Sequence, residues 1–349
     1  MKAFRFVEWQ QPPELRDVPV PEPGIGQVLI KVGGAGACHS DLHLMEWPVG
    51  TMPYTLPFTL GHENAGWVEK IGPGVKGFSV GDPVAVYGPW GCGYCYQCRQ
   101  GMEIYCENLM SVNNGAYGGG FGLDGGMAEY MLIQSARFLV PLSTVAPKEA
   151  APITDAGLTP YHAIKRSLPL LNPGATAIVI GVGGLGHLAV QILRALTSVQ
   201  VIAVDIAEDK LKLAAEVGAD ATMLASEDAP AKVAELTRGL GAEVVLDMVG
   251  SDSTLAMAAK MAHKMGHLTV VGVAGGTLPF SMFALPIECS IAAPLWGSLP
   301  ELMELIALVE RGRIKSHNTY YPLERAQEAY DTMRAGALLG RAVIVPNEK

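Results

Sequence analysis

The sequence predicts an α/β protein in two parts, a β-rich domain and a doubly wound parallel-sheet domain. Two observations carry this. Residues 1–155 break into short β-type runs bounded by Gly and Pro. Beyond Asp155 the texture changes, and apolar strand-type runs alternate with helical stretches.

In the first part, residues 28–32, 67–71, 84–87 and 129–133 read as strands, with frequent Gly at the corners of a barrel-like sheet. In the second, residues 175–180 form a continuous apolar run suited to a strand buried on both faces. A helix over 185–196, a strand over 199–204, a helix over 209–217 and strands over 243–248 and 268–273 follow. The tail from about 299 holds two helical stretches and a last strand, 341–345. The expected division is 1–155 with 297–349 as one domain and 156–296 as the other, the tail returning to the first. The cleft between them is the expected site.

The chain has 349 residues, enough for two cores. A formal net charge of −9 with no Lys/Arg cluster argues against a nucleic-acid partner. No apolar run reaches the roughly 18 residues of a membrane span. The start, MKAFRFVEWQ, lacks an apolar signal core, so a cytoplasmic location is expected.

Gly181, Gly183 and Gly186 form G-x-G-x-x-G directly after the 175–180 strand and at the head of a helix. In that setting the pattern is a dinucleotide fingerprint: one Gly for the turn, one for pyrophosphate approach, one for close helix packing. Asp205 ends the next strand, 19 residues beyond Gly186. A carboxylate there accepts from the ribose hydroxyls and repels a 2′-phosphate, which favours NAD over NADP.

Cys92, Cys95, Cys98 and Cys106 offer four thiols within 15 residues. Four thiolates close a tetrahedral shell, as in a structural zinc; an iron–sulfur cluster takes the same set. Cys38 stands in the polar run Cys38-His39-Ser40-Asp41-Leu42-His43, and His62 in Gly61-His62-Glu63. Spacing alone does not say which of these residues meet. His162, His187, His263, His267 and His317 lack metal spacing and read as structural or surface residues, and Cys289 as a buried small hydrophobe.

Taken together, GxGxxG with its downstream Asp, the four-Cys segment, CHSDLH and GHENAG resemble the medium-chain, zinc-containing alcohol dehydrogenases over nearly the whole length. The stretches VYGPWGCGYCYQC, TDAGLTPYHAI and VIGVGGLGH are most similar to bacterial NAD-dependent secondary-alcohol dehydrogenases that also reduce aryl ketones and aldehydes. The resemblance implies a GroES-like catalytic domain and a Rossmann cofactor domain. It also implies two zincs, a structural one on the four cysteines and a catalytic one on Cys38, His62 and a third ligand. That third position falls on Asp155 where the family commonly has Cys. Glu63 corresponds to a neighbouring group able to reach the metal during exchange. The implied chemistry is hydride transfer between an alcohol and NAD, with zinc as Lewis acid on the substrate oxygen. Ser40 takes the alcohol proton, and the nicotinamide ribose and His43 pass it on. His39 and Arg341 match pyrophosphate contacts, Lys210 an adenosine-ribose contact, and Gly184 and Leu185 complete the cofactor loop. Tyr54, Trp296 and Leu295, with Ile291, match the substrate wall. The expected partners are a small alcohol, ketone or aldehyde and further copies of the chain, as a dimer or tetramer with residues 287–294 at the interface. Within the fold, a polyol, threonine or aldehyde-reducing enzyme is the competing reading. From other classes come a zinc-binding protein without turnover and a nucleic-acid module.

Overall fold

The structure, a computed structural model, describes residues 1–347. The chain divides into two compact units. One comprises Met1–Leu158, Gly297–Arg311 and the segment from Ser316 onward; the other comprises Thr159–Trp296 and Gly312–Lys315.

The first unit is built around the strand Val28–Ala37. It pairs antiparallel with Glu63–Ile71, Tyr130–Ile133 and Arg341–Val345. Pro83–Val86 and Leu139–Pro141 extend the sheet on one side, and Asn318–Pro322 on the other. The central strand runs five residues past the expected end at 32, through Gly33-Gly34-Ala35-Gly36. Neither alternation nor propensity marks that stretch as a strand. Close packing explains the glycines. A Cβ on Gly34 would lie 2.7 Å from the Lys148 backbone, and one on Gly36 would lie 1.8 Å from a Glu63 carboxylate oxygen. Register then concentrates chemistry at one sheet end. Gly36 faces Glu63, and Ala37 faces Ala342. Cys38 and His62, just beyond the ends of two of these strands, and Arg341, the first residue of a third, are therefore delivered to the same sheet end.

The polar run after Cys38 is an α-helix, His39–Glu46. Cys38 occupies its N-cap with extended backbone, and its N–H donates to the Asp41 carboxylate at 3.0 Å. This is the capping-box arrangement with Cys in the place of Ser.

The second unit holds a six-stranded, all-parallel sheet. Its order is Ala221–Leu224, Gln200–Asp205, Thr176–Ile180, Ala242–Asp247, Ala262–Val270, Ser290–Ala292. The helix Gly186–Leu196 packs on it through Leu188, Ala189, Val190, Ile192 and Leu193, all fully buried. Each of the Leu, Val and Ile side chains contributes about 1.5–3 kcal/mol on burial, and the Ala189 methyl less. The fifth strand starts and ends earlier than the expected 268–273. Its ladder shifts register between Ala242 and Val244, where Met265 takes a positive φ. Residues 271–276 leave the sheet to interlock with the loop after Asp247, through Ala274 N–H to Val249 O and Gly276 N–H to Gly250 O. No helix among the described residues is long and apolar enough to cross a membrane.

Candidate active site

Cys38, His62, Glu63 and Asp155 form one cluster, each offering a donor atom within 4.8 Å of the others. Cys38 comes from the helix N-cap and His62 and Glu63 from the start of a strand. Asp155 closes the 3-10 turn Ala151–Thr154, which is fixed to the strand by the Asn64 N–H donating to Thr154 Oγ1 at 3.2 Å. Asp155 Oδ2 lies 3.4 Å from His62 Nε2 and 3.9 Å from Cys38 Sγ. The edges of a tetrahedral zinc site with these donors are about 3.3–3.6 Å. The His62–Asp155 separation falls in that range and the Cys38–Asp155 separation is slightly wider, so the donor set fits zinc with a small closing of the Cys38 side. Ser40 Oγ sits 3.4 Å from His62 Nε2, and His43, half-buried, follows one helical turn later.

All four donors are buried, and their charges interact. Burial alone would lower the His62 pKa, but Asp41, Asp155 and Cys38 raise it well above the ordinary imidazole range. Burial pushes the Glu63 carboxyl up to about 7, with Asp155 adding repulsion and Arg341 opposing it. Arg341 pairs directly with Glu63 Oε1. It is fully inside the protein, and Glu63 holds it charged against the cost of burial. Glu63 Oε2 and Arg341 Nε have no hydrogen-bond partner among the described residues. The expected pyrophosphate contact is thus placed beside the ligand cluster, already engaged on one side. His39 is exposed in the first turn of its helix.

Two residues that sequence reasoning did not single out complete the cluster's surroundings. Asp41 Oδ1 lies 3.0 Å from His62 Nδ1, and both groups are buried. A carboxylate behind a ligating imidazole fixes its tautomer and direction. The capping spacing Cys38-x-x-Asp41 was a usable signal. Tyr330, which donates to Asp41 Oδ2 at 2.8 Å, gave none.

Cys92, Cys95, Cys98 and Cys106 likewise converge within 4.8 Å. None is in a disulfide, and Cys92 Sγ and Cys98 Sγ stand 3.9 Å apart, against about 3.8 Å for a tetrahedral zinc thiolate edge. The Cys95 N–H and Asn108 side-chain amide donate to Cys92 Sγ. Burial raises the Cys92 pKa, but these donors prevail and bring it down to about 6. This stabilises the thiolate that a metal requires. Burial pushes Cys98 and Cys106 upward instead.

In the second unit the three glycines have three separate reasons. Gly181 takes φ +84° in the turn. A Cβ on Gly183 would meet nothing within 4 Å, which leaves its backbone open to approach. A Cβ on Gly186 would strike Gly181 O at 1.9 Å, so the helix can pack this close only with glycine. Gly184 and Leu185 lead into that helix, whose positive end faces the loop. Asp205 is tied to the same loop, accepting from Val182 N–H at 2.6 Å and Ala207 N–H at 3.0 Å. Lys210 lies in the first turn of the next helix, Glu208–Glu216.

Tyr54 is buried edge-on to Phe58, and its hydroxyl has no partner among the described residues. Trp296 is buried with φ +55°, while Leu295 and Ile291 are exposed. Cys289 is half-buried rather than buried.

Residues 24–144 match the family model of the alcohol dehydrogenase GroES-like domain, and residues 184–311 that of the zinc-binding dehydrogenases. An NAD-dependent alcohol dehydrogenase of Sulfurisphaera tokodaii is 37% identical, the alignment covering 99% of this chain and 100% of that one. The crystal structure of the Aeropyrum pernix alcohol dehydrogenase superposes with a TM-score of 0.91 at 38% identity, covering 99% and 100%. The acetophenone reductase of Geotrichum candidum, solved with NAD, gives a TM-score of 0.86 at 31% identity, covering 99% and 96%. With two family models along its length, full-length relatives and a buried Cys-His-Asp donor cluster, the chain belongs to the medium-chain, zinc-dependent alcohol dehydrogenases and is an oxidoreductase of that family.

Proposed function

We propose that the chain oxidises secondary alcohols, aryl or alkyl, to ketones with NAD, and runs the reverse reduction of ketones and aldehydes. The observation that carries this is the buried cluster of Cys38, His62 and Asp155 with Ser40 Oγ beside it. Two zincs per chain are proposed, one on these three residues and one on Cys92, Cys95, Cys98 and Cys106. The first would supply Lewis acidity toward a substrate oxygen, and NAD the hydride acceptor. The protein's own groups do the rest. Ser40 Oγ accepts the alcohol proton, and His43, at i+3 on the same helix, carries it outward from a half-exposed position. Glu63, neutralised by Arg341, stays beside the cluster without adding a full negative charge. Gly181–Gly186 receive the pyrophosphate at the helix N-terminus, with His39 and Arg341 as further contacts. Asp205 and Lys210 hold the adenosine ribose. Tyr54, Trp296 and Leu295 are assigned to the substrate wall, and the likeness to an acetophenone reductase supports an aryl-accepting one.

The direct test is NAD reduction by the purified protein with 1-phenylethanol, with NADP run beside it. Turnover with NAD and little with NADP is expected. A zinc-loaded protein that turns over neither cofactor with this alcohol, but does so with a polyol, would move the substrate assignment to that class.

A homo-oligomer is also proposed. The strand Ser290–Ala292 is a sheet edge, and Phe280, Met282, Phe283, Ile287 and Ile291 around it are exposed. Such an edge invites a second copy. Sedimentation should show a dimer or larger, and a monomer at micromolar concentration would remove the proposal.

A further inference from the structure

We propose that Tyr330 is a positioning residue for the Cys38–His62–Asp155 cluster, acting through the buried carboxylate of Asp41. The inference rests on the metal reading above and extends it to the helix Ala326–Arg334, from the far end of the sequence. Asp41 and Tyr330 are both fully buried. One Asp41 oxygen, Oδ2, accepts from the Cys38 N–H at 3.0 Å and the Tyr330 hydroxyl at 2.8 Å. The other, Oδ1, lies 3.0 Å from His62 Nδ1. A single carboxylate therefore reaches two members of the cluster: it accepts from the Cys38 backbone N–H and stands at ion-pair distance from the His62 ring, and the Tyr330 hydroxyl is its one side-chain hydrogen-bond donor among the described residues.

Tyr330 is itself well held. Its ring stacks on Phe4 with centroids 6.3 Å apart and planes 18° apart. Its one hydroxyl proton has two acceptors in reach, Asp41 Oδ2 at 2.8 Å and Met127 Sδ at 3.3 Å, and the carboxylate is the shorter and stronger. Burial, reinforced by Asp41, keeps the phenol protonated and so a donor. Without that donor, Asp41 Oδ2 keeps only the Cys38 N–H, and the carboxylate can rotate away from His62 Nδ1. The imidazole then loses the partner that aims Nε2 into the cluster.

The test is Tyr330→Phe, which removes one oxygen and keeps the stacked ring. Zinc release from the native full-length protein to 4-(2-pyridylazo)resorcinol is followed, with the zinc of the four-Cys site as internal reference. Release from the Cys38–His62–Asp155 site should speed up about tenfold, the low end for loss of a group supporting a metal ligand, with four-Cys release unchanged. A second arm places Tyr330→Phe in an Asp41→Asn background, where its effect should vanish because the two act as one unit. Wild-type release in Tyr330→Phe would overturn the proposal, as would equal loosening of both zincs or full additivity with Asp41→Asn. A wild-type protein with only the four-Cys zinc would fail differently, sinking the metal reading itself and this role with it.

Discussion

Asp155→Ala should strip the zinc proposed at Cys38, His62 and Asp155 and lower kcat/KM for alcohol oxidation by at least about 1000-fold. Asp155 Oδ2 is 3.4 Å from His62 Nε2 and 3.9 Å from Cys38 Sγ, so it completes a three-donor face. A catalytic zinc needs three protein ligands and an open position. With two left, the metal leaves, and with it the several kcal/mol of Lewis-acid stabilisation; about 4 kcal/mol corresponds to the stated factor. Glu63 is close enough to be considered as a substitute. It is a poor one, because Arg341 already occupies one of its oxygens and holds the carboxylate turned toward the guanidinium. Glu63→Gln should accordingly keep both zincs. Asp155→Cys, which restores a thiolate donor, should also bind two. Elemental analysis beside steady-state rates reads all three variants. Full zinc content and wild-type rates in Asp155→Ala, with loss of a zinc in Glu63→Gln, would make Glu63 the ligand instead.

The contrast between Asp155 and the four-Cys segment shows where the sequence was legible. Cys92 to Cys106 are close in the chain, so their convergence follows from short turns and spacing alone. The glycine loop is equally local, and each glycine has a distinct steric reason in the structure. The other cluster is not local. Cys38 and Asp155 are 117 residues apart, Arg341 and Glu63 are 278 apart, and Tyr330 and Asp41 are 289 apart. Strand register brings Glu63 and Arg341 together, and the packing of a turn and two helices against the sheet brings in the others; no periodicity states either. Only the family resemblance pointed to Asp155, and nothing pointed to Tyr330. The strand through Gly33–Gly36 was missed for a related reason. Its glycines answer to neighbours, Lys148 and Glu63, that lie far along the chain.

Asp205→Ala should raise the KM for NAD about 30-fold and bring the kcat/KM values for NAD and NADP to within about tenfold of each other. A carboxylate offers about four lone-pair sites. Asp205 uses one oxygen for Val182 N–H and the other for Ala207 N–H, which leaves one site on each for the two ribose hydroxyls. Hydrogen bonds to a charged group contribute about 1.5–3 kcal/mol, and about 2 kcal/mol corresponds to the stated rise. The alanine also removes the negative charge that repels a 2′-phosphate, so NADP should gain while NAD loses. A second effect follows from the same contacts. Val182 N–H is buried in the glycine loop, and losing its acceptor should lower thermal stability. Loop damage alone would weaken both cofactors alike, because both present the same pyrophosphate to Gly181–Gly186. The ratio of the two kcat/KM values therefore separates the roles. A collapsed ratio identifies Asp205 as the cofactor selector. A lower melting temperature with the ratio unchanged would reduce it to a brace for the loop.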